Sequence, residues 1–311
     1  MPAPKQTQVT PISEGLDSLF TVIYCFIDDT VKAAGGPPPR SGPKSRFSDS
    51  EALCVLVVGQ LFGMPEAAWH RFLHANCKHL FPNLLESSVL HKRSKDLAQF
   101  LLRLREQAVA RAGGKGPAHV YDSMPVPVCK RARAMRNRAW ADATDGAPGL
   151  LFGYCAAKDE RFYGFRLHLA IRPDGFAADF ILAPASRHDV AVAPELAASA
   201  GSKLVVADKG YIGMEKRPEF GPSLPPPEVL TPRRGNQAER NSPWEDALLK
   251  QVRSGVETVN SLLARLGIAS SGAKSMRGLA ARVAAKVSCL TILFVLNVEL
   301  GLNPCSLAGW L

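Results

Sequence analysis

The chain has 311 residues, 46% of them hydrophobic and 21% charged, with a formal net charge of +10. That balance excludes a disordered or fibrous chain and gives enough length for one large and one small folded unit. The positive excess points to a polyanionic partner, nucleic acid before membrane. Seven scattered cysteines without a CxxC pair exclude a zinc ribbon and a disulfide framework, and they fit reduced thiols in a cytosol. Residues 1–11 are polar and lack the apolar core of a signal peptide.

In residues 13–32, Leu16, Leu19, Phe20, Ile23, Phe26, Ile27 and Val31 recur at helical steps and predict an amphipathic helix. The Pro- and Gly-rich stretch 35–44 reads as a linker. Ser48 and Glu51 have the spacing of a capping box ahead of a helix carrying Leu53, Cys54, Leu56, Val57 and Leu61. Further helices are expected over 66–79 and from about 95 to 111. Residues 1–112 therefore read as a small all-helical unit and 113–311 as the main domain. Within the first unit, His91-Lys92-Arg93-Ser94-Lys95 is a basic patch near a helix start, either a grip on DNA or a solvated face. His70 and His74 stand one turn apart, but only Cys77 could join them, so surface or packing histidines are favoured over metal binding.

Past the breaker at 113–117 the pattern changes to strands. His119 to Ser123 is a short β-prone run carrying Asp122. Lys130, Arg131, Arg133, Arg136 and Arg138 follow without an acid among them, as a neutraliser of a phosphodiester backbone or as a solvated loop. Runs at 154–157 and 162–171 read as a hairpin, and 176–182 as the next strand. His188-Asp189 either supports a metal site from behind or caps the helix expected over 190–200, and the position of Asp189 favours the cap.

Leu204 to Ala207 is a short all-apolar run ending in Asp208 and Gly210, the pattern of a central strand buried on both faces. A carboxylate at the C-terminal end of such a strand sits where open α/β sheets place their active sites. Residues 229–231 give a last strand, and Ser242-Pro243 opens a long helix over 244–267. On that helix Arg253 and Glu257 are one turn apart. They make an ordinary surface ion pair, or Glu257 points to the sheet edge near Asp122 and Asp208 with Arg253 placed for phosphate. Residues 272–278 form a candidate phosphate-contacting loop, and the apolar run 287–298 is too short to span a bilayer and reads as a buried helix.

Several segments together resemble the DDE transposases of bacterial insertion sequences, closest to the insertion-sequence 982 family. In chain order they are His119 to Ser123, Cys129 with its following arginines, Tyr163-Gly164-Phe165-Arg166-Leu167-His168, and His188-Asp189. Asp208-Lys209-Gly210-Tyr211, Thr231-Pro232-Arg233-Arg234-Gly235-Asn236 and Glu257-Thr258 complete the set. The resemblance implies an α/β, ribonuclease-H-like fold: a mixed five-stranded sheet with flanking helices, preceded by a small helical DNA-binding domain.

The same resemblance implies Asp122, Asp208 and Glu257 as catalytic residues that hold two Mg²⁺ ions, with Mn²⁺ as a substitute. It implies His188 and Asp189 behind them, and Lys130, Arg131, Arg133, Arg136, Arg138, Lys209, Arg233, Arg234 and Arg253 as DNA contacts. The implied partners are double-stranded DNA, as terminal inverted repeats and as target, and a second copy in a homodimer. A bacterial cytoplasmic location without a membrane follows. The implied reaction is strand cleavage at element ends and transfer of the 3′-OH into target DNA. A structure-selective, Mg-dependent nuclease of the same fold and a non-catalytic DNA-binding protein are the alternatives. A lysine expected seven residues after Glu257 is Ala264 here.

Overall fold

Capping and apolar periodicity set the first third of the chain. The computed structural model describes residues 15–38, 45–137, 139–140, 147–156, 159–233, 240–308 and 310. Its first five helices are α1 (Leu16–Ala33), α2 (Asp49–Phe62), α3 (Glu66–Asn76), α4 (Ser87–Asp96) and α5 (Ala98–Arg111). The capping box forms as expected: the Glu51 N–H donates to the Ser48 hydroxyl, and the Ser48 N–H donates to the Glu51 carboxylate. The basic patch is not a free helix start. It lies inside α4, where Arg93 is buried, donates to Asp49 and Ser45 and lies over the Phe47 ring, while His91 meets Glu66. Burial beside Phe47 and a carboxylate uses the guanidinium to bind α4 to the start of α2.

The strands are β1 (Ala118–Cys129), β2 (Phe152–Cys155), β3 (Glu160–Ile171), β4 (Ala177–Pro184), β5 (Leu204–Ala207) and β6 (Glu228–Leu230). Five span the sheet in the order β4-β3-β1-β5-β6, and β2 continues the β4 edge by pairing with the start of β3. β1, β5 and β6 run parallel, whereas β1, β2 and β4 run antiparallel to β3. This is the mixed, ribonuclease-H-like sheet that the sequence implies. Strand β1 is longer than the expected run and passes through Pro125 and Pro127. β5 stops opposite Tyr121, so beyond that point β1 pairs on one edge only, where proline is tolerated. Gly164 lets β3 approach β1 closely, because a Cβ there would lie 2.3 Å from the Val126 carbonyl oxygen.

Helices α6 (Asp189–Ala200), α7 (Pro243–Arg265) and α8 (Met276–Glu299) complete the fold. α7 opens with a capping box between Ser242 and Glu245 and Pro243 in its first turn. α8 is long and apolar enough to cross a bilayer, but 83% of its apolar window is buried inside the fold. It packs against α2, α4 and α5 on one side and β4 and α7 on the other. Arg277 bonds Asp96, Arg282 bonds Glu66, and Lys286 bonds Gln60 and the Leu266 carbonyl. Burial lowers the Lys286 ammonium pKa to about 8. Arg105 of α5, fully buried, donates to the Ala177 and Ala178 carbonyls of β4. The expected boundary near residue 112 falls in the turn between α5 and β1, and one hydrophobic core crosses it.

Candidate active site

The parallel register of β1 and β5 ends with Tyr121 opposite Ala207, and Asp122 and Asp208 are the residues that follow this last pair. Side chains alternate across a strand. Tyr121 and Ala207 pack with α6 on one face, which turns Asp122 and Asp208 toward the α7 face. There the Asn260 amide of α7 donates to the Asp122 carboxylate at 2.5 Å. Asp208 ends the strand and accepts the Gly210 N–H at 2.8 Å, capping a single 3-10 turn over Lys209–Tyr211. Two carboxylates thus meet at the C-terminal end of adjacent parallel strands, where such sheets place their sites.

A third acid reaches them from α6. Asp189 accepts the Ser123 hydroxyl at 2.9 Å and lies 3.6 Å from both Arg166 and His168. Its Oδ2 and the Asp208 Oδ1 stand 2.8 and 3.0 Å from the position a Cβ on Gly210 would take, so only glycine leaves room for both. Asp189 is therefore the first residue of α6 and a close neighbour of Asp208, where the sequence favoured a cap. His188, expected beside it, is the exposed N-cap residue and makes no side-chain cap bond. His168 stands behind Asp189 instead, fully buried, with Nδ1 3.4 Å from the Tyr211 hydroxyl. Burial lowers its pKa to about 4, so the ring is neutral at neutral pH.

Crowding shapes the electrostatics. Desolvation, then the Asp208 and Asp189 charges, raise the Asp122 pKa against the hydrogen bonds from Asn260 and the Ser123 N–H. Asp208 is also raised, by desolvation of its carboxylate and by Asp189, although the Gly210 N–H, Arg166 and Arg253 oppose the shift. Repelling, partly dehydrated carboxylates are the donor set that a hard divalent cation relieves, and Mg²⁺ needs only one or two of them because it keeps several waters. Asp122 and Asp208 are carboxylates of that kind, each with a raised pKa. Glu257 stands apart: its side chain is 66% exposed and ion-paired at 3.0 Å with Arg253, itself 79% exposed. Three residues further along α7, Asn260 holds the position against Asp122. Among the described residues, no three His, Cys, Asp or Glu side chains converge closely enough to hold a metal together.

The basic residues surround this centre unevenly. Lys130, Arg131, Arg133 and Arg136 are exposed on and beside a 3-10 turn that follows β1. Lys209 is exposed beside Asp208, and exposed Arg233 donates to Asn241. Arg138 and Arg234 lie outside the described residues. Sequence reasoning missed Asn260, Ser123, Arg166 and His168 as site residues. Asn260 is one turn beyond Glu257, and Arg166 and His168 share one parity of an alternating strand, so both signals lay in the spacing.

Residues 114–292, from the turn before β1 to deep in α8, match the family model described as "Transposase DDE domain". No curated protein and no solved structure matches the chain.

Proposed function

The chain belongs to the transposase DDE domain family, and from that premise we propose that it is an insertion-sequence transposase of the 982 kind, cutting DNA at element ends and joining the freed 3′-OH to target DNA. The observation that carries this reading is that Asp122 and Asp208 each follow the last registered pair of β1 and β5, with Asp189 close to Asp208 across Gly210. When bound, a pair of Mg²⁺ ions, or Mn²⁺ in their place, supplies Lewis-acid polarisation of the phosphodiester and a low-pKa water.

Asp122 and Asp208 would hold the ions, and Glu257 would complete the set if Arg253 transferred its hydrogen bond to a DNA phosphate. Arg253 is suited to that exchange because its pair with Glu257 is solvent-exposed, and such pairs contribute only about 0–1 kcal/mol. Asn260 orients the Asp122 carboxylate, while Ser123, Arg166 and neutral His168 fix Asp189. Lys130, Arg131, Arg133, Arg136, Lys209 and Arg233, with Arg138 and Arg234, neutralise the DNA backbone. The N-terminal helices contribute DNA contacts, a homodimer aligns two ends, and the protein works in the bacterial cytoplasm.

The test is Asp208→Asn on DNA carrying the element's ends with Mg²⁺. DNA binding is expected to persist and strand cleavage to disappear. A variant that still nicks removes Asp208 from the chemistry. Nicks without joined products in the wild type would reassign the protein as a nuclease of the same fold.

A further inference from the structure

Between the N-terminal helices and the last helix lies a cavity of about 520 Å³. One wall comes from α2, α3 and α4, the other from α8 and the turn that joins it to α7, and Asp122, Asp189 and Asp208 take no part in its lining. Two stretches without a role at the active site meet here: 91–95 through His91, Ser94 and Lys95, and 272–278 through its terminal glycines. Val55, Leu56, Leu90 and the Trp69 ring supply hydrocarbon to the lining.

The charges around this cavity do not balance. Glu66 is the only acid among the lining residues, and it is taken: Arg282 donates to it at 2.7 Å and His91 lies 2.5 Å from it. Two further cations line the cavity. The Lys286 ammonium is buried and bonds only neutral oxygens, the Gln60 amide at 3.0 Å and the Leu266 carbonyl at 2.5 Å. Lys95 is half-buried and has no side-chain hydrogen bond or ion pair among the described residues. Buried charges in folded proteins are paired as a rule, because a charge without a partner loses its hydration without compensation. The absent partner is an anion, and the space open to it is bordered by hydrocarbon.

We propose that this cavity binds a small organic monoanion, a carboxylate with an apolar body, with the carboxylate on Lys95 and Lys286 and the body against Val55, Leu90 and Trp69. A second charge, as on a phosphate ester, costs more to dehydrate beside these side chains. Clefts of roughly 300–1,000 Å³ are of the size that encloses one such molecule. Because the two walls belong to the N-terminal helices and to α8, the ligand binds only the folded junction and stabilises it. The proposal is independent of the chemistry assigned to Asp122 and Asp208.

The test is isothermal titration calorimetry of the full chain in EDTA with phenylbutyrate, the uncharged phenylbutanol, and acetate, which lacks the apolar body. Phenylbutyrate is expected to bind saturably at a single site and to raise the melting temperature, with the other two roughly 10-fold weaker or more. Lys95→Gln should weaken phenylbutyrate binding roughly 5-fold or more. Ala281→Phe, which fills the cavity from α8, should abolish it, with a melting curve as the check on folding. Lys286→Met should also weaken binding, and the half-buried position of Lys95 keeps the test decisive if that variant does not fold. Phenylbutanol or acetate binding as tightly as phenylbutyrate, unchanged affinity in Lys95→Gln, or no saturable binding would each overturn the proposal. Displacement of the bound probe by a blunt DNA duplex would overturn it too, by assigning these lysines to the DNA path.

Discussion

Replacing Asn260 with alanine probes the polar balance around Asp122. The amide donates to the carboxylate at 2.5 Å, and a hydrogen bond to a charged group contributes roughly 1.5–3 kcal/mol. The same substitution removes the Asn260 Oδ1, buried without a partner among the described residues, whose burial costs about 1–3 kcal/mol. The two effects oppose each other, so the metal-free protein should lose only about 1 kcal/mol at neutral pH. The pH dependence fixes the sign. Burial and the neighbouring acids put the folded-state pKa of Asp122 above its unfolded value, and the Asn260 bond pulls it back down. Alanine lets that pKa rise further, so the deficit of the variant is largest where Asp122 is ionised and shrinks as pH falls through the raised folded-state pKa. Urea titrations in EDTA from about pH 3 to pH 8 measure it. A deficit that stays constant over that range, or one above about 3 kcal/mol at neutral pH, would refute the balance.

Three further outcomes are expected. Gly164→Ala places a Cβ 2.3 Å from the Val126 carbonyl oxygen, so thermal denaturation should show a loss of about 2 kcal/mol or more, with cleavage falling because β1 carries Asp122. An unchanged melting temperature would contradict the close approach. Arg93→Met removes the buried guanidinium that bonds Asp49 and Ser45, and partial exposure of Asp49 moderates the cost to about 2 kcal/mol in urea unfolding. Loss of DNA affinity at unchanged stability would make Arg93 a DNA contact instead. Lys286 has a folded-state pKa near 8, below its unfolded value of 10.5, so the folded protein sheds its proton first and stability rises between those two pH values. That rise is on the order of 3 kcal/mol and should be absent in Lys286→Met, as melting curves across the alkaline range would show.

The parts of the fold that were legible in the sequence are those written in local rules. Ser48 with Glu51 and Ser242-Pro243 mark helix starts because the first N–H groups of a helix need acceptors. The run from Leu204 to Ala207 gives a buried strand because both its faces are covered. What stayed illegible depends on tertiary packing. Nothing local shows that β1 continues through two prolines, since that follows from β5 ending at Ala207. Nothing near residue 93 shows that its guanidinium is buried, since Asp49 lies 44 positions away in the chain. The choice between His188 and His168 turned on strand parity: position 168 points inward beside Ser123, while position 188 precedes the helix and faces solvent. The i, i+3 relation of Glu257 and Asn260 could be read from the sequence, but which of the two lies against Asp122 depends on how α7 is rotated against the sheet.

Helix α8 has a consequence for how this protein can be cut or recombined. Its 24 residues sit between the N-terminal helices and the sheet, tied to the former through Arg277, Arg282 and Lys286. Severing the chain at the turn after α5 would leave each half with an uncovered greasy surface, so neither half is a transferable cartridge. A chimera that exchanged only the first 112 residues between two such proteins would have to re-match the facing surface of the last helix as well.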